Sequence, residues 1–249
     1  MDLQLEGKRV LVTGGASGLG AELVRSLAAE GARVALNFRS REDDARAMAE
    51  SIDGEVVPIH ADLSDRSQTR GLFEQAVDAL GGLDILVNNA GLWLTTEVGV
   101  FDDDLWDRSL EVNLGAPMLL SQLFIAHCTG EGRKGRILNV TSQAAFRGSS
   151  TGHVPYAAAK GAIVTMTRSL AREMGGNGVT VNALAIGTME SPMIADALEQ
   201  KREFYEARIP IGYVATADQI ASVATFLVSE KSSYMTGATV DVSGGQLLH

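Results

Sequence analysis

"KRVLVTGGASGLGAELVRSLAAE", Lys8 to Glu30, decides the fold. "KRVLVT" (8–13) is a short apolar run rich in β-formers, and "GAELVRSLAAE" (20–30) keeps Leu23, Leu27 and neighbouring alanines on one helical face. Between them "TGGASGLG" turns the chain. Glycines 14, 18 and 20 let it turn sharply and let a ligand approach the backbone, while the free N–H groups and dipole at the helix start face an anion such as pyrophosphate. The spacing is G-x-x-x-G-x-G, not the more familiar G-x-G-x-x-G, and a glycine turn can also be only a turn. Its strand-turn-helix setting favours a nucleotide site formed by Gly14, Ser17, Gly18, Leu19 and Gly20.

Outward from this unit the same alternation recurs. Further strands are expected at "RVALNF" (33–38), "EVVPIHA" (55–61), "LDILVNN" (83–89), "GRILNVTS" (135–142), "VTVNALA" (179–185) and "TVDVS" (239–243), with helical segments between them. That pattern implies an α/β protein with a seven-stranded parallel sheet covered on both faces. No linker, repeat or low-complexity tract divides it, so residues 1–249 are read as a single domain. Pro117 lies inside the helical stretch starting near Asp104, so that helix is expected to start late or kink at "NLGAPMLL". Residues 187–215 have weak periodicity and two prolines; they read as an insertion of short helices, either a substrate lid or a plain surface excursion.

The 249 residues are 45% hydrophobic, enough for one sizeable core, and a formal charge of -10 argues against a sequence-independent grip on nucleic acid or an anionic bilayer. The lone Cys128 cannot form an internal disulfide, and the N-terminus lacks signal-peptide architecture; the expectation is a cytoplasmic protein. Glycines are read as interrupting every apolar run before membrane-spanning length, so no bilayer span is expected. The four histidines are scattered, which gives no support for a metal site.

Tyr156 and Lys160 in "VPYAAAKGAIVTMT" (154–167) stand four apart, hence on one helical face. A phenol titrates near 10, and a neighbouring ammonium favours the phenolate, so the pair suits proton transfer at neutral pH. Ser142 ends a strand, where its hydroxyl can donate to an oxygen that gathers charge. Taken singly, each has a bland alternative: a packed tyrosine, a solvated lysine, a turn serine.

Taken together, "TGGASGLG", "NNAG" (88–91), Asn113, Ser142 and Tyr156 with Lys160 resemble the classical short-chain dehydrogenase/reductase family in motifs, order and spacing, over Leu5 to about Gly245. The resemblance implies a Rossmann-type doubly wound sheet, NADP(H) or NAD(H) as cofactor and, as a rule, a homotetramer. It implies a catalytic set of Asn113, Ser142, Tyr156 and Lys160, with Lys160 also holding the nicotinamide ribose and Asn113 holding a backbone distortion and a water that links Lys160 to solvent. It further implies that Asn88 is structural, that Asn89, Ala90 and Gly91 wall the cofactor, and that Asp62, with Leu63 beside it, meets the adenine; Asp62 is equally well placed to cap the following helix.

A carboxylate at the end of the second strand would mark NAD. This chain has "LNFRSRED": Asn37 is uncharged, and Arg39, Ser40 and Arg41 follow, which suits a 2'-phosphate and favours NADP(H). Glu42, Asp43 and Asp44 offer the arginines an alternative partner, and Ser17 stands where many NADP-using relatives carry a basic residue, so NAD(H) stays open. Where relatives usually have Pro-Gly after the sixth strand, Ile186 precedes Gly187; Ile186 and Thr188 are expected to reach the carboxamide through backbone and hydroxyl. Ser243 replaces a common aspartate.

Substrate contacts are assigned to Ser142, Gln143, Ala144, Trp93, Leu94, His153, Met189 and Met193, mostly apolar or weakly polar, which points to a neutral ketone or secondary alcohol. A 3-oxoacyl-carrier-protein reductase is the near alternative, with Arg168 and Arg172 as candidates for an acidic carrier; a non-catalytic cofactor-binding regulator is the alternative of another class. Ala157, Ala158, Gly161 and Ala162 form a small-residue face that suits close helix packing, across a twofold axis or within the subunit.

Overall fold

The computed structural model describes residues 2–100, 102–149 and 152–247. Among them seven strands, β1 (Arg9–Val12), β2 (Arg33–Phe38), β3 (Val56–His60), β4 (Ile85–Asn88), β5 (Gly135–Ser142), β6 (Val179–Ile186) and β7 (Thr239–Val242), form one parallel sheet in the order β3-β2-β1-β4-β5-β6-β7. β1 pairs with β2 on one side (Val10 opposite Val34) and β4 on the other (Val10 opposite Ile85). The winding reverses there, and a crevice opens beyond the carboxyl ends of the strands.

The helices are α1 (Gly18–Ala29), α2 (Glu42–Ser51), α3 (Arg66–Leu80), α4 (Asp103–Leu110), α5 (Ala116–Gly130), α6 (Ala144–Arg147), α7 (Val154–Met174), α8 (Ala195–Glu206) and α9 (Ala217–Leu227). Strand side chains alternate between two cores. Val10, Val12, Val34, Leu36, Ile85 and Val87 pack with α1, α2 and α9, whereas Leu11, Ala35, Leu86 and Ile137 pack with α3, α5 and α7. The sheet is therefore buried on both faces, which is why its strands read as continuous apolar runs.

Around Pro117 the expected late start or kink takes another form. α4 passes through a π turn, Glu111–Gly115, directly into α5, and Pro117, which has no N–H to give to the preceding turn, follows just after the widened turn. The wider π turn carries Asn113. It also corrects the reading that glycine interrupts every apolar run: helix runs on through Gly115, and Asp103–Gly130 is long and apolar enough to span a membrane by length and composition. Half of its most apolar stretch is buried inside the domain, as in a core helix.

Residues 187–215 form an excursion closed at its base by a bridge between Met189 and Ala215. Within it α8 is interrupted at Lys201, whose φ of -139° is non-helical, so the element is two short helical pieces. Leu198, Ile209 and Val214 give it a small core of its own.

Candidate active site

The glycine turn is fixed by sterics and by one threonine. Gly14 and Gly18 have φ of +64° and +53°, and a Cβ on Gly20 would lie 2.1 Å from the Gly14 carbonyl oxygen. Thr13 Oγ1 accepts the backbone N–H groups of Asn89 and Ala90, both at 3.0 Å, and Asn89 Nδ2 donates back to the Thr13 carbonyl at 2.9 Å. The first and fourth strand exits are thereby tied together. Ser17 precedes α1 in extended backbone and makes no side-chain cap, so among the described residues no side chain takes the amides of that first turn, which borders the crevice.

A cleft runs from this turn along the carboxyl ends of β1, β2, β4 and β5. Gly14, Ser17, Gly18, Leu19, Gly20, Asn37, Arg39, Ser40, Asp62, Leu63, Asn89, Ala90, Gly91, Tyr156, Lys160, Ile186, Met189 and Met193 line it, together with Phe38, Arg41, Leu92, Val112, Thr141 and Pro192. Gly187, Thr188, Ser142, Gln143, Ala144, Trp93 and His153 are not on that wall. The chemistry of this wall fits a dinucleotide: unsubstituted backbone and free helix amides at one end, arginines beyond β2, and a buried amine at the other end.

Asn37 is buried and its amide is largely committed, accepting from Gly14 N at 3.3 Å and donating to the Ala61 carbonyl at 3.1 Å. It braces the turn from the strand end, while Arg39 beyond it is exposed toward the cleft. Arg41 sits in left-handed backbone (φ +68°) and pairs with Asp44 at 3.3 Å, the pairing that the sequence left open. Asp62 does not cap α3; Asp65 does, accepting from Ser67 N and Gln68 N. Asp62 closes a turn with Ser64. Burial pushes the Asp62 carboxyl up, but hydrogen bonds from Ser64 and the nearby Arg39 outweigh it, and the group sits below the usual range.

At the reacting end, Ser142 stands beside the Tyr156 phenol, where its hydroxyl favours the phenolate, while its Oγ accepts from Ala144 N at 3.2 Å. Lys160 is 4% exposed, donates to the Val140 carbonyl at 2.8 Å, and lies 5.6 Å from the centre of the Tyr156 ring. A Cβ on Gly91 would approach Asn113 Oδ1 to 3.0 Å and Lys160 Nζ to 3.7 Å, so glycine there keeps the two groups together. Asn113 is fully buried in the π turn. Its amide donates to the carbonyls of Leu92 and Ser109 at 2.9 Å each and accepts from Leu92 N at 3.1 Å. It thus locks the distortion to the segment after "NNAG". Asn88 donates to Asn139 at 2.8 Å, and Asn139 in turn to Thr167 at 3.0 Å, a buried brace across β4, β5 and α7.

The electrostatics differ from the sequence reading. Burial pushes the Tyr156 phenol above its usual value, only partly offset by the Ser142 hydrogen bond, and burial pulls the Lys160 ammonium down to about 8. Desolvation acts on both groups more strongly than either acts on the other.

Trp93 stacks on His153 with ring centres 4.1 Å apart, and His153 Nδ1 hydrogen-bonds the Leu94 carbonyl at 3.1 Å, forming a side wall before Tyr156. Gln143 and Thr188 meet instead at Gln246, a residue that the sequence did not single out. Thr13 was missed as well; its only signal was its place before the glycine turn.

A family model described as enoyl-(acyl carrier protein) reductase matches residues 14–246. The chain is 35% identical over 248 residues to the 3-oxoacyl-[acyl-carrier-protein] reductase of Thermotoga maritima, covering 99% of this chain and 100% of that protein. It belongs to the short-chain dehydrogenase/reductase family. L-xylulose reductase of Bos taurus, also similar, is 37% identical over 249 residues, covering 99% of each chain. Among solved structures, a blue fluorescent protein from a metagenomic library in complex with NADPH superposes with a TM-score of 0.90 at 34% identity, covering 98% of this chain and 99% of that one. Membership in this dehydrogenase/reductase family accounts for the sheet order, the glycine turn and the tyrosine-lysine helix as one inherited arrangement.

Proposed function

We propose that the protein is an oxidoreductase that interconverts a ketone and a secondary alcohol with NADP(H), NAD(H) being the second option. The observation that carries this is Tyr156 with buried Lys160 5.6 Å from its ring centre and Ser142 beside it, at one end of a cleft whose other end is the glycine turn. When bound, the nicotinamide supplies or takes the hydride. Ser142 then donates to the substrate oxygen, and Tyr156 gives its proton to that oxygen as charge develops. Burial that keeps the phenol protonated at neutral pH serves the reductive direction. Lys160 would hold ribose hydroxyls, Asn113 would keep the π turn, Asn89, Ala90 and Gly91 would wall the cofactor, and Asp62 with Leu63 would meet the adenine. Exposed Arg39 offers a guanidinium to a 2'-phosphate, in keeping with the NADPH complex of the similar structure. Ile186 and Thr188 would meet the carboxamide, while Trp93, Gln143, Ala144, His153, Met189 and Met193 would surround the substrate, with residues 187–215 as its lid.

A 3-oxoacyl-[acyl-carrier-protein] reductase is the second reading, favoured by the Thermotoga maritima relative. Arg168 and Arg172 are both exposed, one turn apart on α7, where an acidic carrier could reach them. A homotetramer in the cytoplasm fits the partly exposed face of Ala157, Ala158, Gly161 and Ala162 and the lone, buried Cys128. Turnover of a panel of simple cyclic ketones, sugars and a 3-oxoacyl thioester, each with NADPH and NADH, tests both readings. Nucleotide binding without turnover of any member would instead support a non-catalytic regulator.

A further inference from the structure

We propose that Gln246 is a positioning residue for the nicotinamide end of the cleft, holding the Gly187–Thr188 turn so that the Thr188 hydroxyl is presented to the cofactor. The inference rests on the NADP(H) reading above.

Gln246 Oε1 accepts from Thr188 N at 2.7 Å. A backbone N–H can only donate, so the orientation of the side-chain amide is fixed: Oε1 faces the backbone, and Nε2 donates to Thr188 Oγ1 at 3.1 Å. The Thr188 hydroxyl is thereby the acceptor in that bond, and its own hydrogen is left to donate elsewhere. Oε1 also accepts from Gln143 Nε2 at 3.3 Å, one residue beyond the reacting Ser142. Arg147 Nη1 closes the ring, donating to the Gln246 carbonyl at 2.9 Å and to Gln143 Oε1 at 3.2 Å.

One side chain therefore joins the exits of β5, β6 and β7. Backbone pairing holds the strand end, with Ile186 between Ser142 and Val242 and Gly187 N donating to the Val242 carbonyl at 3.3 Å, so Gln246 holds the residue that follows this anchor. A Cβ on Gly187 would lie 2.5 Å from Gln246 Oε1, so glycine at that position makes room for the contact. Gln246 is itself held in place. Gly244 accepts from Ile211 N at 3.1 Å, and a Cβ on Gly245 would lie 2.9 Å from Pro210, so the loop that carries Gln246 is clamped to the 187–215 excursion.

The test compares wild type with Gln246→Met, of similar length but without either polar atom, and Gln246→Glu, which keeps an acceptor for Thr188 N and loses the donor to Thr188 Oγ1. Dissociation constants are measured by calorimetry for NADPH and for adenosine 2',5'-bisphosphate, which lacks the nicotinamide half. Gln246→Met should weaken NADPH about tenfold and leave the bisphosphate within about twofold, with Gln246→Glu between the two. Unchanged NADPH affinity in Gln246→Met, or equal weakening of both probes as a general loss of structure would give, overturns the proposal. Wild type that bound neither probe would sink the nucleotide reading itself, and this inference with it.

Discussion

The two ends of the sheet treat charge in opposite ways. At the amino ends of the strands, cations are matched: Arg9 grips Asp84 through Nε at 2.8 Å and Nη2 at 2.6 Å, Arg33 grips Glu55 at 2.5 and 2.8 Å, and Glu230 takes both Lys8 at 3.1 Å and Arg136 at 2.5 Å. At the carboxyl ends, Lys160 is buried and no carboxylate pairs with it among the described residues; its partners are a carbonyl and an aromatic face. Burial of an unmatched charge works against stability, whereas bidentate pairs offset their own desolvation. The difference separates a braced end from a reacting end, and substitutions at each should have opposite readouts.

Among substitutions of the charged groups, the largest effect is expected from Lys160→Met. Turnover should fall at least about a hundredfold, the lower range for loss of acid-base assistance, while thermal stability holds or rises. The sign follows from the depressed folded value. Lys160 titrates at about 8 in the folded chain against 10.5 in the reference state, so below pH 8 the cost of burying its charge is present in full. As pH climbs from 8 to 10.5 the wild type regains stability, because the unfolded chain then binds more protons. Any melting-temperature advantage of the variant should therefore shrink across that window. A variant less stable than wild type at pH 7 would break the comparison.

Asp84→Ala should do the reverse. It leaves Arg9 mostly buried without its carboxylate, at a cost of about 2 to 3 kcal/mol given the partial exposure of the pair. Denaturant unfolding should show that loss, with NADPH affinity unchanged. Burial pushes the Asp84 carboxyl up, but the bonds from Arg9 outweigh it and hold the group below the usual range. The stability from this pair is thus present above the ordinary carboxylate range and lost as pH falls through the depressed folded value. Smallest is Arg39→Ala: NADPH should bind several-fold to about tenfold more weakly, NADH about equally, and the melting temperature should not move.

Much of this was legible in the sequence because it is local. β2 and β5 fall where the apolar runs place them, and the glycine turn and the Tyr156–Lys160 spacing are set by neighbours along the chain. What escaped depends on partners far away. Asn37 ends the second strand and lines the cleft, but the bonds of its amide to Gly14, 23 residues back, and to Ala61, 24 residues on, could not be read from its neighbours. Gln246 bonds residues 58 and 103 positions away, and nothing in "SGGQ" announces them. The distortion at Asn113 came only from the resemblance, and its form as a π turn escaped because propensity distinguishes helix from strand, not a five-residue from a four-residue turn. The phenol-lysine spacing was readable, but the burial that dominates their acidities belongs to the packed domain.

Tyr156→Phe tests the central claim most directly, with NADPH affinity, melting temperature and turnover measured on one preparation. The account predicts turnover reduced by roughly a thousandfold or more, NADPH affinity and melting temperature close to wild type. Turnover retained within about tenfold would show that another group moves the proton, and the assignment of the reacting end would fall.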